Sequence, residues 1–86
     1  MLSPEKRQEL ILRLRRIEGQ TQGIQRMLAE NRPCEEVLNQ LASVRAATRM
    51  VSMELLRGYL AARLAKPDGL RSEEAIAEMI NTLLRL

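Results

Sequence analysis

The apolar positions at the start of the chain recur with the period of an amphipathic helix. Ser3, Pro4 and Glu5 form a helix start, because serine caps free amides, proline suits the first turn and an acid favours the positive end of the helix dipole. The core-type positions that follow are spaced by four and three residues in alternation, as in a coiled coil: Leu10, Leu14, Ile17, Thr21, Ile24 and Leu28. Because the residue before a proline is biased out of the helical region, Pro33 predicts that the first helix ends just before it. The pattern predicts a helix over about residues 4–30.

A second seam with the same alternating spacing follows Pro33. Its members are Val37, Leu41, Val44, Thr48, Val51 and Leu55, with Leu38, Leu56 and Leu60 widening the apolar face on one flank. This pattern predicts a second helix over about residues 34–65. The segment 66–69 has the composition of a turn, and Ser72 with two following glutamates predicts the start of a shorter third helix over about 73–85. The apolar positions of that helix are Ile76, Met79, Ile80, Leu83 and Leu84.

These elements predict an all-α protein with two long helices and one short helix in a single domain over residues 1–86. A helix of about 32 residues is about 48 Å long, which is too long for a compact monomeric three-helix bundle, the alternative arrangement. Two helices have no closed core, and the wide apolar face of helix 2 requires a second hairpin. We therefore expect an antiparallel four-helix-bundle dimer. Helix 3 is left to cover an end of the bundle or to join dimers into a dimer of dimers.

Length and composition support an oligomer and limit the chemistry. A chain of 86 residues is marginal alone unless it is stapled or oligomeric, and its single cysteine cannot form an internal disulfide. The chain has no histidine, and Tyr59 is its only aromatic residue. No apolar run approaches the roughly 20 residues that a membrane span needs, so a soluble cytoplasmic protein with no membrane partner is expected.

Positive charge is concentrated before residue 64. Of 14 Lys and Arg, eleven lie in residues 1–63, but only seven of the 11 Asp and Glu lie there, and the whole chain carries +3. Arginine has a planar fork suited to phosphate and base edges. On helical wheels, Arg15 lies opposite the seam of helix 1 and Arg16 at its side, while Arg45 and Arg49 flank the seam of helix 2. Nucleic acid is the leading partner, and a solvated helix surface is the alternative.

Three segments carry a resemblance to a known family: RLRRIEGQTQGIQRM (13–27), PCEEVLNQLASVRAA (33–47) and MELL (53–56). They are similar to the signature segments of the small all-helical bacterial repressors that sense copper, nickel and cobalt, or formaldehyde, the CsoR/RcnR/FrmR family. The resemblance implies a homodimer that pairs into a homotetramer, binding to operator DNA, and release of DNA when an effector binds at a cysteine-containing site. It also implies that Arg13, Arg15, Arg16 and Arg45 contact DNA, to which the wheel adds Arg49.

The resemblance also indicates where an effector site lies. In metal-sensing members of this family, the cysteine at the start of helix 2 joins two ligands near the end of that helix, and those positions are Tyr59 and Arg63 here. Phenol is a poor ligand for Cu(I), and arginine does not ligate. Cu(I) or another transition metal is therefore a candidate cofactor whose usual ligands are missing. Cys34 is the only candidate metal ligand.

Helix geometry requires the effector site to be shared between subunits. Cys34 and Tyr59 point to nearly the same side of helix 2 but are 25 residues apart, about 37 Å along the helix. In an antiparallel pair of helices 2 that cross near residues 46 and 47, Cys34 of one subunit lies beside Tyr59 and Arg63 of the other. A composite site of this kind couples ligand binding to subunit arrangement.

Three interpretations of Cys34 stay open. A thiol at a helix start and beside a partner arginine favours a thiol-directed effector such as formaldehyde. The pair Pro33–Cys34 also resembles the formaldehyde- and nickel-sensing branch of the family, which implies that formaldehyde bridges the thiol and the N-terminal amine of a neighbouring subunit, here that of Met1. Metal sensing by a divergent site is the second, and a small buried residue without an effector is the third.

An enzyme is not expected, because no histidine base or cofactor motif is present. The alternative function is a structural or adaptor bundle, which would lack the steep salt dependence of a DNA binder.

Overall fold

Three α-helices make up the protein in a computed structural model that describes residues 2–66 and 72–86. They are α1 (Pro4–Ala29), α2 (Cys34–Leu64) and α3 (Glu73–Leu84), and no strand occurs in the described residues. The all-α class with two long helices and one short helix is confirmed. Each helix ends one residue before the expected position.

Serine side chains cap α1 and α3. The Ser3 hydroxyl accepts a hydrogen bond from the Lys6 amide at 3.0 Å, and the Ser72 hydroxyl accepts one from the Ala75 amide at 3.1 Å. Each bond satisfies an amide that has no partner within its own helix. At the start of α2, the Pro33 carbonyl accepts hydrogen bonds from the amides of residues 36 and 37. Cys34 is therefore the first helical residue of α2.

The chain leaves α1 through a Schellman turn built on Asn31. Asn31 has a φ of 55°, in the left-handed region that asparagine tolerates better than most residues. The Arg32 amide donates to the Met27 carbonyl at 2.9 Å, and the Asn31 amide donates to the Leu28 carbonyl at 3.1 Å. This pair of bonds satisfies carbonyls at the helix end and reverses the chain within a few residues.

The described residues form two compact units. The first, which we call the N-terminal hairpin, is Ser3–Val51, and the second, the C-terminal unit, contains Leu2 and residues from Ser52 to Leu86. In the N-terminal hairpin, Gln20 of α1 hydrogen-bonds to Ser43 of α2, and Arg13 shares a surface depression with Met50. Residue numbers therefore rise along α2 as they fall along α1. The two helices run antiparallel, as expected for a hairpin.

The hairpin buries only alternate members of the predicted seams. The buried positions recur every seven residues in α1: Leu10, Ile17 and Ile24. In α2 the corresponding positions are the buried Val37 and Val51 and the half-buried Val44. The members between them are left wholly or partly exposed, and we call this set the open stripe: Leu14, Thr21, Leu28, Leu41, Thr48 and Leu55. One hairpin thus covers half of each seam.

The C-terminal unit pairs the end of α2 with α3. Arg63 forms an ion pair with Glu78, and Tyr59 lines a cavity together with Thr82, so these two segments also run antiparallel. Ala75 is buried, whereas the predicted apolar face of α3 is largely exposed in the single chain: Ile76, Ile80, Leu83 and Leu84. The predicted turn at 66–69 lies outside the described residues after Lys66. None of the helices in the described part of the chain is long and apolar enough to cross a membrane.

Candidate DNA-binding surface and effector site

Four of the five arginines predicted to contact DNA are exposed and form no ion pair in the described residues. Arg15, Arg16, Arg45 and Arg49 are exposed, and none of them pairs with an acidic group among residues 2–66 and 72–86. Arg13 differs, because its Nη2 atom lies 3.1 Å from Oε1 of Glu9, one turn earlier on α1. The unpaired guanidinium groups can bind phosphate without first breaking an ion pair.

Arg13 and Arg16 line one depression on the N-terminal hairpin. It has a volume of about 410 Å³, and α2 contributes Ala47 and Met50 to its wall. Gln20 also lines it, and the Gln20 side-chain amide donates to the Ser43 hydroxyl at 3.4 Å. Sequence reasoning missed Gln20, although its position four residues after Arg16 places it one turn along the same face of α1.

Arg45 and Arg49 line a different depression. Its volume is about 460 Å³, and its floor is made by apolar side chains of α2: Leu38, Leu41, Ala42 and Ala46. The two depressions share no lining residue, and Arg15 lines neither. The fold therefore brings the predicted arginines together as two pairs.

Cys34 is an exposed free thiol at the first position of α2. Acidic residues follow it in the first turn, where the helix dipole favours negative charge. One of them, Glu36, accepts from Arg32 at 2.7 Å, so an ion pair spans the helix start. The Met1 amine, the candidate partner of the thiol, lies outside the described residues.

Tyr59 and Arg63 lie one turn apart on α2 and form a polar cluster with Glu78 of α3. Nη2 of Arg63 is 3.1 Å from Oε2 of Glu78. The Arg63 guanidinium carbon lies 6.0 Å from the centre of the Tyr59 ring, at the limit of a cation–π contact. The Tyr59 hydroxyl oxygen and Arg63 Nε are buried, and neither has a hydrogen-bond partner in the described part of the protein. Glu78 was not predicted as a site residue.

An apolar cavity adjoins this cluster in the C-terminal unit. Its volume is about 320 Å³, and Tyr59 lines it with other residues of α2, of α3 and of the end of the chain: Ser52, Leu55, Leu56, Thr82 and Leu86. The Thr82 hydroxyl donates to the Glu78 carbonyl at 2.9 Å. The cavity can therefore hold a small apolar group beside a phenol.

The residues present do not fit a transition metal. A soft metal needs several thiolate or imidazole ligands, but the chain has one cysteine and no histidine. No group of three or more His, Cys, Asp or Glu able to hold a metal occurs in the residues that the structure describes. Tyr59 and Arg63 supply a phenol and a cation, which are unsuited to Cu(I).

Comparison with known proteins places the chain in a family. A family model described as metal-sensitive transcriptional repressor matches residues 6–85. The chain is 35% identical over 82 residues to the copper-sensing transcriptional repressor CsoR of Bacillus subtilis, covering 92% of this chain and 79% of that one. It is 38% identical over 77 residues to the copper-sensing transcriptional repressor RicR of Mycobacterium tuberculosis, covering 86% and 80%.

Two solved structures share the fold. The nickel-responsive transcriptional regulator InrS aligns with a TM-score of 0.78 and 38% identity over 91% of this chain and 89% of that one. The copper-sensing repressor CsoR with Cu(I) from Geobacillus thermodenitrificans aligns with a TM-score of 0.82 and 30% identity over 99% and 90%. The family expected from the three signature segments is thus confirmed, and it is a family of transcriptional repressors and not of enzymes, as expected. The chain belongs to the metal-sensitive transcriptional repressor family.

Proposed function

We propose that this protein is a transcriptional repressor that binds operator DNA through the arginines of its N-terminal hairpin. The observation that carries the proposal is the set of exposed arginines without ion-pair partners in the described residues, on a chain of this repressor family. Their exposure suits contacts to phosphate and to DNA shape. Operator DNA in a bacterium lies in the cytoplasm, and this is the compartment that the proposal assigns.

The proposal includes a homodimer as the DNA-binding form and a homotetramer as the larger assembly. The open stripe supports it, because its leucines and threonines recur at heptad spacing on α1 and α2 and match the apolar face that a second hairpin covers. In such a bundle, arginine pairs from two copies can lie on one surface. In a single chain, the two pairs line two different depressions.

Release of DNA is proposed to follow from chemistry at Cys34. Its thiol is exposed in the single chain, and the proposed antiparallel dimer places Tyr59 and Arg63 of the other subunit beside it. One thiol without further soft ligands suits a covalent, thiol-directed effector such as formaldehyde better than a metal. Sensing of Cu(I) or nickel, as the names of the relatives state for those proteins, is the second candidate.

The DNA-binding part is tested with operator DNA selected from a random library, by fluorescence anisotropy at several salt concentrations. We expect a steep loss of affinity with salt, and each of Arg15→Ala and Arg45→Ala should lower the slope of log K against log salt by about 1. Arg57→Ala is the matched control, because Arg57 is an exposed arginine of α2 in the other unit that already pairs with Glu54. Salt-independent binding, or unchanged affinity in both variants, would support the structural or adaptor function instead.

The effector part is tested by exposing wild type and Cys34→Ala to formaldehyde and, separately, to Cu(I) without oxygen. Intact mass and operator binding are measured on the same samples. A mass adduct together with DNA release in wild type only is the expected result with formaldehyde. If one equivalent of Cu(I) binds per subunit and releases DNA only when Cys34 is present, metal sensing replaces the thiol-directed proposal.

A further inference from the structure

Two buried hydrogen-bond donors on α2 have no acceptor. They are the Tyr59 hydroxyl and the Nε–H of Arg63, both among the residues that the structure describes. A buried donor without an acceptor is costly, and most such donors in folded proteins are satisfied. Because the two residues are separated by one helical turn, both donors lie on one face of α2 and can serve a common acceptor.

The guanidinium of Arg63 is held in place by Glu78, but one of its donors has no acceptor. Its Nε and Nη2 atoms form the edge that suits a carboxylate or another oxyanion with two oxygens. On that edge, Glu78 Oε2 accepts from Nη2 at 3.1 Å, while Nε has no acceptor. The Arg63 side chain is 19% exposed, and the Glu78 side chain is 62% exposed. Arg63 is therefore the fixed member of the pair, and Glu78 is the member that water and other anions can replace.

The chemistry of the cluster selects an anion. Arginine donates but does not accept, and its positive charge excludes a cation from the same edge. Tyr59 connects this edge to the apolar cavity of about 320 Å³, whose walls include Leu55 and Leu56. A ligand with an anionic head, and at most a short apolar tail, matches both parts.

We propose that Tyr59 and Arg63 form a binding site for a small oxyanion or carboxylate, which competes with Glu78 for the guanidinium. Binding exchanges the contact between α2 and α3 in the C-terminal unit for a contact with the ligand. That the anion also alters operator binding rests on the function proposed above, whereas binding itself does not. In the proposed dimer, Cys34 of the other subunit lies beside this site, but the anion binds to Tyr59 and Arg63 and needs neither the thiol nor a metal.

Tyr59 provides a direct assay, because it is the only aromatic residue of the chain. Its fluorescence and near-ultraviolet absorbance report on the site without a label. Full-length protein is titrated with sodium phosphate, sodium sulfate and sodium acetate at constant ionic strength, which is maintained with sodium chloride. We expect a saturable change of the Tyr59 signal with at least one of these probes and no saturable change with chloride alone.

Three substitutions separate anion binding from a structural role, with affinities taken from calorimetry. Arg63→Lys keeps the charge but removes the fork, and Tyr59→Phe removes only the hydroxyl, so each should weaken binding by about tenfold or more. Glu78→Gln removes the competing carboxylate and should tighten binding severalfold. Arg57→Lys is the matched control on α2 and should bind as wild type does. If Arg63→Lys does not fold, the opposite signs expected for Tyr59→Phe and Glu78→Gln still test the site.

Several results would overturn the inference. They are a response that chloride reproduces, wild-type affinity in Tyr59→Phe, or weaker binding in Glu78→Gln. If the Tyr59 signal changes with protein concentration but not with the added anions, a second copy of the chain, and not an anion, satisfies the donors of Tyr59 and Arg63. Cys34→Ser should keep full anion affinity. If that variant and wild type bind the probe but no operator is found, the proposed function fails while the anion site stands.

Discussion

Removing two leucines of the open stripe should dissociate the protein without unfolding its hairpin. Leu14 on α1 is 42% exposed and Leu41 on α2 is 47% exposed in the single chain. If a second hairpin covers them, the double variant Leu14→Ala/Leu41→Ala should weaken self-association. The hairpin itself loses only the part of each side chain that is already covered within the chain.

The size of the effect follows from the exposed fraction. Full burial of a leucine contributes about 1.5–3 kcal/mol, so covering the exposed half contributes about 0.7–1.4 kcal/mol. A symmetric dimer covers four such side chains, and alanine retains part of each. The double variant should therefore weaken the free energy of dimer association by about 2–4 kcal/mol, which raises the dissociation constant by about 30- to 1,000-fold.

Sedimentation equilibrium over a wide range of protein concentrations measures that shift. Leu12→Ala is a matched control, because Leu12 is 47% exposed but lies on the opposite side of α1 from the buried positions. It should leave association nearly unchanged. Equal effects of Leu12→Ala and the double variant, or a wild-type chain that stays monomeric at all concentrations, would refute the argument from the open stripe.

Three further predictions concern stability. Ile17→Ala, in the buried row of α1, should lower the free energy of unfolding in urea by about 2–4 kcal/mol at fixed protein concentration. Ile11→Ala, at an exposed position, should cost far less, and similar losses would contradict the assignment of the core. Asn31→Ala should lower the free energy of unfolding by about 1 kcal/mol, because alanine is strained at a φ of 55°. Asn31→Gly should have a melting temperature close to that of wild type, and equal melting temperatures of the two variants would exclude backbone strain. Ser72→Ala should lower the stability of α3 by about 1 kcal/mol, measured as faster amide exchange there, and unchanged exchange would show that the cap is dispensable.

The helices could be predicted from the sequence because their signals are local. Ser3 and Ser72 cap the helices they were expected to cap, and Pro33 separates α1 from α2. The choice of buried residues could not be predicted in the same way. Leu14 and Ile17 fit the seam equally well, yet only Ile17 is buried, because a helix needs a partner before one line of its apolar face is selected.

The candidate site was only partly predictable. Tyr59 and Arg63 were found because the resemblance assigns a role to their positions, and both lie on one helix. Glu78 could not be found from spacing, since it belongs to α3 and meets Arg63 only through tertiary structure. The helical wheel and the resemblance together also grouped Arg13, Arg16, Arg45 and Arg49 as one basic set, although they line two separate depressions. Spacing along a helix gives the face of a residue but not which residues of another helix meet it.

The positions of the candidate sites allow DNA binding and ligand binding to be measured separately. The arginines proposed for DNA all belong to the N-terminal hairpin, whereas Tyr59, Arg63 and Glu78 all belong to the C-terminal unit. Salt dependence of operator affinity reports on the first group, because only phosphate contacts release counterions. Tyr59 fluorescence reports on the second, because no other aromatic residue contributes. A ligand that changes the Tyr59 signal and also shifts operator affinity, with the salt slope unchanged, would act on the population of the DNA-binding form and not by blocking the arginines.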